Sequence, residues 1–264
     1  LKIKNYILVF VSCAFFGVAN AQFDSISQRG KLYLCASVGF VTPELSYGIE
    51  PGFFDNEHNN FGTTGYAEVG VGTHVCVTYL IDRSPFGLTS SLYYYHNNFS
   101  NANYVVQVNN FNRNHYKPMN STGYTQAGIV GGITIAPSGK ESWLDLKLLG
   151  GFVWTFTPLV ADSGNSTFYS GNLQPSGPDI LHPANTIIVT WGFGIEARPY
   201  ITKKVLFLFN TEMLFSSPIF TTTETITYYD QVNNVYTTQT MPYRFSLNIS
   251  TLYVSGGIAY KIGR

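Results

Sequence analysis

Charge is scarce in this chain. Fifteen Lys and Arg and fifteen Asp and Glu make up 11% of its 264 residues, less than half the roughly 25% of an ordinary soluble domain. The two signs cancel, so the formal net charge is zero and nothing points to nucleic acid. Cysteine is scarcer still, three in all, which excludes a disulfide-dense scaffold. Long apolar runs are missing too. The run from Tyr6 to Val18 is short of the roughly 20 residues a spanning helix needs. No other segment approaches that length, so a helical membrane protein is excluded.

What is plentiful is aromatic residues, at 16%, and glycine, at 25 residues. They fall in a pattern. Between Leu144 and Phe156 the even positions are almost all bulky and apolar, while the odd ones include Asp145, Lys147, Gly151 and Thr155. A period of two places these sets on opposite faces of a strand. The same alternation recurs over 31–40, 64–80, 87–97, 123–136, 185–198, 204–216 and the C-terminal segment ending at Ile262. Each stretch reaches the roughly 9–11 residues of a tilted membrane-spanning strand.

The start reads as a secretory signal peptide over 1–21: basic Lys2 and Lys4, an apolar stretch, then Ala19-Asn20-Ala21. Residues 22–264 are then one domain, and Cys35 and Cys76 are left as an even pair in an oxidising compartment. Connections alternate in length. Those at 81–86, 137–142 and 199–203 are short, with turn residues such as Asp82, Ser84 and Pro85. Those at 41–63, 98–122, 158–184 and 217–244 are long. The expected fold is all-β: an eight-stranded antiparallel transmembrane barrel of up-and-down topology. Residues 221–229 and 235–240 flank a turn-like run and form an extended hairpin beyond the membrane. Between Leu247 and Leu252 the apolar parity shifts by one, which predicts a bulge, or an upper part that stands clear of the membrane.

A soluble lipocalin-like barrel is the competing architecture. It would bury its apolar face inward. Here the face that carries charge also carries the glycines, as a narrow crowded lumen requires, so the membrane reading prevails. The lipid-facing belt then includes Leu146, Leu148, Phe152, Ile187, Val189, Phe207 and Phe209.

The last strand, Gly257-Ile258-Ala259-Tyr260-Lys261-Ile262, resembles the C-terminal assembly signal of outer-membrane barrels, with Gly257, Tyr260 and Ile262 at its marked positions. It departs from that pattern in the non-aromatic Ile262 and in the trailing Gly263-Arg264. The ending looks like those of porin-family outer membrane protein beta-barrel domain proteins of Bacteroidota. The resemblance implies a small barrel in the bacterial outer membrane, inserted by the barrel-assembly machinery and surrounded by outer-membrane lipid.

The inward parity collects Glu68, His74, Asp145, Lys147, Glu196, Arg198, Glu212 and Lys261. Buried charges need partners, and an eight-stranded interior is about wide enough for side chains to fill it. These residues therefore read as a polar network plugging the lumen, with a narrow path for ions or small solutes as the alternative. Cys35 and Cys76 fall at matching heights on the first two strands, inside the lumen and within reach of a disulfide. His58, His96, His115 and His182 lie in or near the long loops, but no nucleophile spacing accompanies them. His74 and Glu68 are six residues apart on one strand, too far to share a metal. The sequence thus predicts no enzyme, cofactor or metal. It predicts a monomeric structural or surface-interaction barrel whose loops meet an unspecified extracellular ligand.

Overall fold

The computed structural model describes residues 30–44, 67–81, 84–100, 117–136, 144–163, 173–175, 178–230 and 232–262. The signal peptide over 1–21, His58 and His115 lie outside them.

Among the described residues the chain forms β1 (Gly30–Glu44), β2 (Gly70–Ile81), β3 (Phe86–Asn97), β4 (Lys117–Ser121), β5 (Tyr124–Ile135), β6 (Leu144–Phe156) and β7 (Val160–Ser163). It continues with β8 (Leu173–Pro175), β9 (Pro178–Leu181), β10 (Asn185–Ala197), β11 (Val205–Ser216), β12 (Ile219–Asp230), β13 (Val235–Ser246) and β14 (Ile249–Ile262). Eight of these close into a barrel in the order β1-β14-β11-β10-β6-β5-β3-β2. Every neighbouring pair is antiparallel. The seam runs between the first and last strands, from Leu32 opposite Ile262 to Glu44 opposite Ser250. Closure leaves no unpaired edge for lipid to meet.

The two ends of the barrel differ. At one end β2 finishes and β3 begins, β10 finishes and β11 begins, and β1 begins and β14 finishes there too. At this turn end Tyr200 bridges Leu206, and Ile201 and Thr202 both donate backbone hydrogen bonds to the Val205 carbonyl. At the other, loop end, β12 and β13 rise as a long hairpin that turns through 232–234, with Asn234 at φ 55°. Asn is one of the few residues that takes this conformation readily. Short strands join the hairpin in a second sheet of order β13-β12-β9-β7-β4, with β8 also paired to β12. Only the hairpin was legible as strand in the sequence.

The parity expected for each barrel strand is the one observed. The belt residues Leu146, Leu148, Phe152, Ile187, Val189, Phe207 and Phe209 all face outward, Leu148 62% exposed. Val38, Phe40, Leu92, Trp191, Phe193, Val254 and Ile258 extend the belt around the wall. Water does not tolerate so continuous an apolar skin, far beyond the few hundred Å² of an ordinary soluble surface. The barrel is built to stand in lipid.

Two local expectations are corrected. The second strand begins at Gly70 rather than at residue 64, and Ala67 makes only an isolated bridge to Phe99. Of the two readings of the apolar shift between Leu247 and Leu252, the bulge is absent: the register runs on from Ile219 opposite Ser246 to Ser216 opposite Ile249. Tyr243, Phe245, Leu247, Ile249, Thr251, Tyr253 and Ser255 all keep the inward parity, with Ser250 buried beside them. The chain keeps its phase and the contents of the interior change, from apolar at the loop end to polar below.

Candidate functional site: the lumen

The interior is stacked in three levels. At the loop end Phe99, Tyr124, Val160, Phe220, Phe245 and Leu247 form an apolar cluster. In the middle Tyr93, Tyr95 and Tyr253 pack together, with ring centroids 4.6 Å apart for Tyr93–Tyr95 and 4.9 Å for Tyr95–Tyr253. Val130, Leu149, Val153 and Leu214 surround them. At the turn end Tyr33, Leu80, Leu206 and Leu208 pack with Cys35 and Cys76.

Between the middle and turn-end levels lies a charged network. Lys147 stands at its centre. Its Nζ is 2.5 Å from Glu196 Oε2 and 3.1 Å from Glu212 Oε1, and it donates to Asn210 Oδ1 at 3.4 Å. Arg198 pairs with Asp145 through Nη2, and its Nη1 is 3.3 Å from Glu196 Oε1. The Arg198 guanidinium also lies 4.1 Å over the Tyr33 ring, a cation–π contact. His74 Nε2 is 3.7 Å from Glu212 Oε1. Its Nδ1 lies 3.5 Å from Ser37 Oγ, which in turn lies within 3.3 Å of the Tyr253 hydroxyl.

The backbone explains why these groups meet. Register places Lys147, Gly194 and Glu212 abreast on β6, β10 and β11. Gly194 has no side chain to separate the other two. A Cβ there would lie 2.7 Å from Glu212 Cγ, so glycine opens the gap through which the pair forms. Asp145, Glu196 and Asn210 line up one pleat nearer the turn end on the same strands. Gly72 performs the same service for Tyr95, whose ring would come within 2.5 Å of an added Cβ.

Of the residues assigned to the polar network from sequence, His74, Asp145, Lys147, Glu196, Arg198 and Glu212 are buried together. Glu68 is not among them. It lies before the first residue of β2, is exposed, and uses its backbone to bond Asn97 and Asn98. Extending the period of two past the end of the strand placed it wrongly. Lys261 keeps the inward parity but is half-buried at the turn-end rim, opposite Tyr33. Tyr260 of the assembly signal faces outward at that rim.

Cys35 and Cys76 are direct partners across β1 and β2, as their heights in the sequence predict. Both are buried free thiols. Glu196 reaches toward them from β10 on the opposite wall, and the Cys76 thiol donates to Glu196 Oε2 at 4.0 Å. Sequence reasoning did not find this juxtaposition. No local spacing links residues 35, 76 and 196; only barrel closure does.

The loop-region histidines brace strands. His96 Nδ1 lies 3.1 Å from Thr125 Oγ1 on the adjacent strand, and His182 Nε2 lies 3.0 Å from Thr225 Oγ1.

A closed antiparallel barrel with an apolar skin and a polar, filled core is the architecture of small outer-membrane barrels. No protein-family model matches the chain, and no curated protein matches it. Among solved structures it is similar to Ail, the attachment invasion locus protein of Yersinia pestis, at 9% identity over 88% of this chain and 98% of that one, TM-score 0.40. It is similar to a major outer membrane protein from Thermus thermophilus at 10% identity over 88% and 99%, TM-score 0.42. It is also similar to the outer membrane protein OprG from Pseudomonas aeruginosa at 11% identity over 89% and 97%, TM-score 0.40.

Proposed function

We propose that this protein is a non-conducting barrel of the bacterial outer membrane that serves a structural or surface-interaction role through its loop-end strands. The turn end faces the periplasm and the loop end faces the outside, following the plan of outer-membrane barrels. The observation that carries this reading is the lumen. Lys147 and Arg198 are paired with Asp145, Glu196 and Glu212 within one buried network. Stacked tyrosines lie above it and an apolar cluster above those. An ion crossing this column would have to break buried pairs whose charges have no water to turn to.

The surface role rests on the exposed face of the β12–β13 hairpin. Tyr236 is 69% exposed and packs on Tyr229 at 5.0 Å, beside the Thr225–Thr240 and Thr227–Thr238 pairs. Aromatic rings and hydroxyls on a rigid ribbon suit recognition of a polar partner. The barrel works as a monomer, with outer-membrane lipid around its belt and the assembly machinery as its insertion partner.

Planar-bilayer recording of the refolded protein tests the central claim. The expected trace has no stepwise conductance. Steady ohmic channels that vanish when Gly192 or Gly194 is replaced by a large side chain would establish the channel reading instead.

A further inference from the structure

We infer that Cys35, Cys76 and Glu196 form a binding site for one divalent thiophilic cation of the zinc class, at the turn end of the lumen. The two Sγ atoms and a Glu196 carboxylate oxygen all lie within 4.8 Å of one another, and all three residues are buried. Tetrahedral bonds of about 2.3 Å to sulfur and about 2.0–2.2 Å to oxygen set ligand atoms roughly 3.4–3.8 Å apart. The Cys76 Sγ to Glu196 Oε2 distance is 4.0 Å, so the donors need only small rotations to close on an ion.

The surroundings favour the site. Its flanks are small: Ala259 stands beside Cys35 and Ser91 beside Cys76 in register. That leaves room for Glu196 to arrive from the far wall. Lys147 pairs with Glu196 Oε2 at 2.5 Å and the Arg198 charge lies 3.3 Å from Oε1, an outer support of the kind that orients a metal-binding carboxylate. Charge selects the ion. Asp145, Glu196 and Glu212 already exceed Lys147 and Arg198 by one negative charge. A divalent cation that replaces the two thiol protons leaves that sum unchanged. A monovalent ion would add another buried negative charge. Two sulfurs exclude magnesium and calcium, which take oxygen ligands. The donors are enclosed by the turn-end cluster, so the ion enters as the barrel closes.

The full chain refolded under reducing conditions with cadmium or zinc tests this, independently of whether the lumen conducts. One ion per chain is expected, with a thiolate-to-cadmium absorption band. Cys35→Ser and Cys76→Ser should remove both signals while the barrel still folds, as judged by its heat-modifiable migration. Glu196→Gln should weaken zinc binding by more than about tenfold. A folded, reduced chain that takes up no metal, or a band that survives in the double serine variant, overturns the proposal. So does protein isolated from cells whose denatured, unreduced form offers no thiol to alkylation, because a Cys35–Cys76 disulfide consumes the donors.

Discussion

At the scale of single residues, the lumen is governed by where side chains are missing. Gly194 stands between Lys147 and Glu212, and the ion pair forms across it. Gly194→Val should destabilise the barrel by about 1–3 kcal/mol through overpacking alone. It should cost more if Glu212 is left buried without its partner. Gly131 is the matched control: it lies on the outward parity of β5, and the nearest atom to an added Cβ is Thr89 O at 3.6 Å. Gly131→Ala should be near neutral. Chemical unfolding of both variants in the same detergent decides it, and equal losses would show that the gap at Gly194 is not what matters. The membership of the network was legible in the sequence because a strict period of two assigns an inside to each strand. The pairings were not. Lys147 meets Glu212 over the intervening β10 and Cys76 meets Glu196 across the lumen, and strand order and stagger decide which residues share a height. Glu68 shows the limit of periodicity, which holds only while the backbone stays in the sheet.

Elements differ in how much of themselves they carry locally. The β12–β13 hairpin announces itself through runs of Thr and Tyr around a turn, and it was readable. The strands β4, β7, β8 and β9 span three to five residues each and exist through pairing with one another or with β12. Nothing in so short a stretch reports a distant partner. The supposed bulge near Leu247 has the same origin. Leu247 and Ile249 face inward into the apolar cluster, and the sequence cannot show that the lumen changes character there. That hairpin also carries a pH response. Burial raises the Glu224 carboxyl and the neighbouring Tyr243 phenol above their ordinary ranges. A raised carboxyl favours the folded hairpin in acid; this contribution is full below the ordinary carboxylate range and is lost as pH rises through the raised value. Glu224→Gln should therefore protect the hairpin from proteolysis at neutral pH and make little difference in mild acid. A variant cleaved faster than the parent at neutral pH would contradict this sign.

For the whole molecule, lipid and lumen are two solvents on either side of one sheet, and the alternation along every barrel strand answers both. The exterior must be apolar only where acyl chains touch it, so the cost of a charge there should depend on depth. Leu148 lies on the outer face of β6 and pairs with Ile133 and Phe193, well inside the belt. Ile135 ends β5 at the turn-end rim, where it is 39% exposed. An arginine at Leu148 has no water within reach and should cost about 2–4 kcal/mol, whereas one at Ile135 can extend to the interface and should cost about 0–1 kcal/mol. Reversible unfolding from lipid vesicles measures both. The gradient is the informative quantity. A soluble barrel would accept arginine equally at the two positions, because both side chains would already stand in water. Equal, small costs would therefore remove the membrane from the reading while leaving the eight-stranded fold intact.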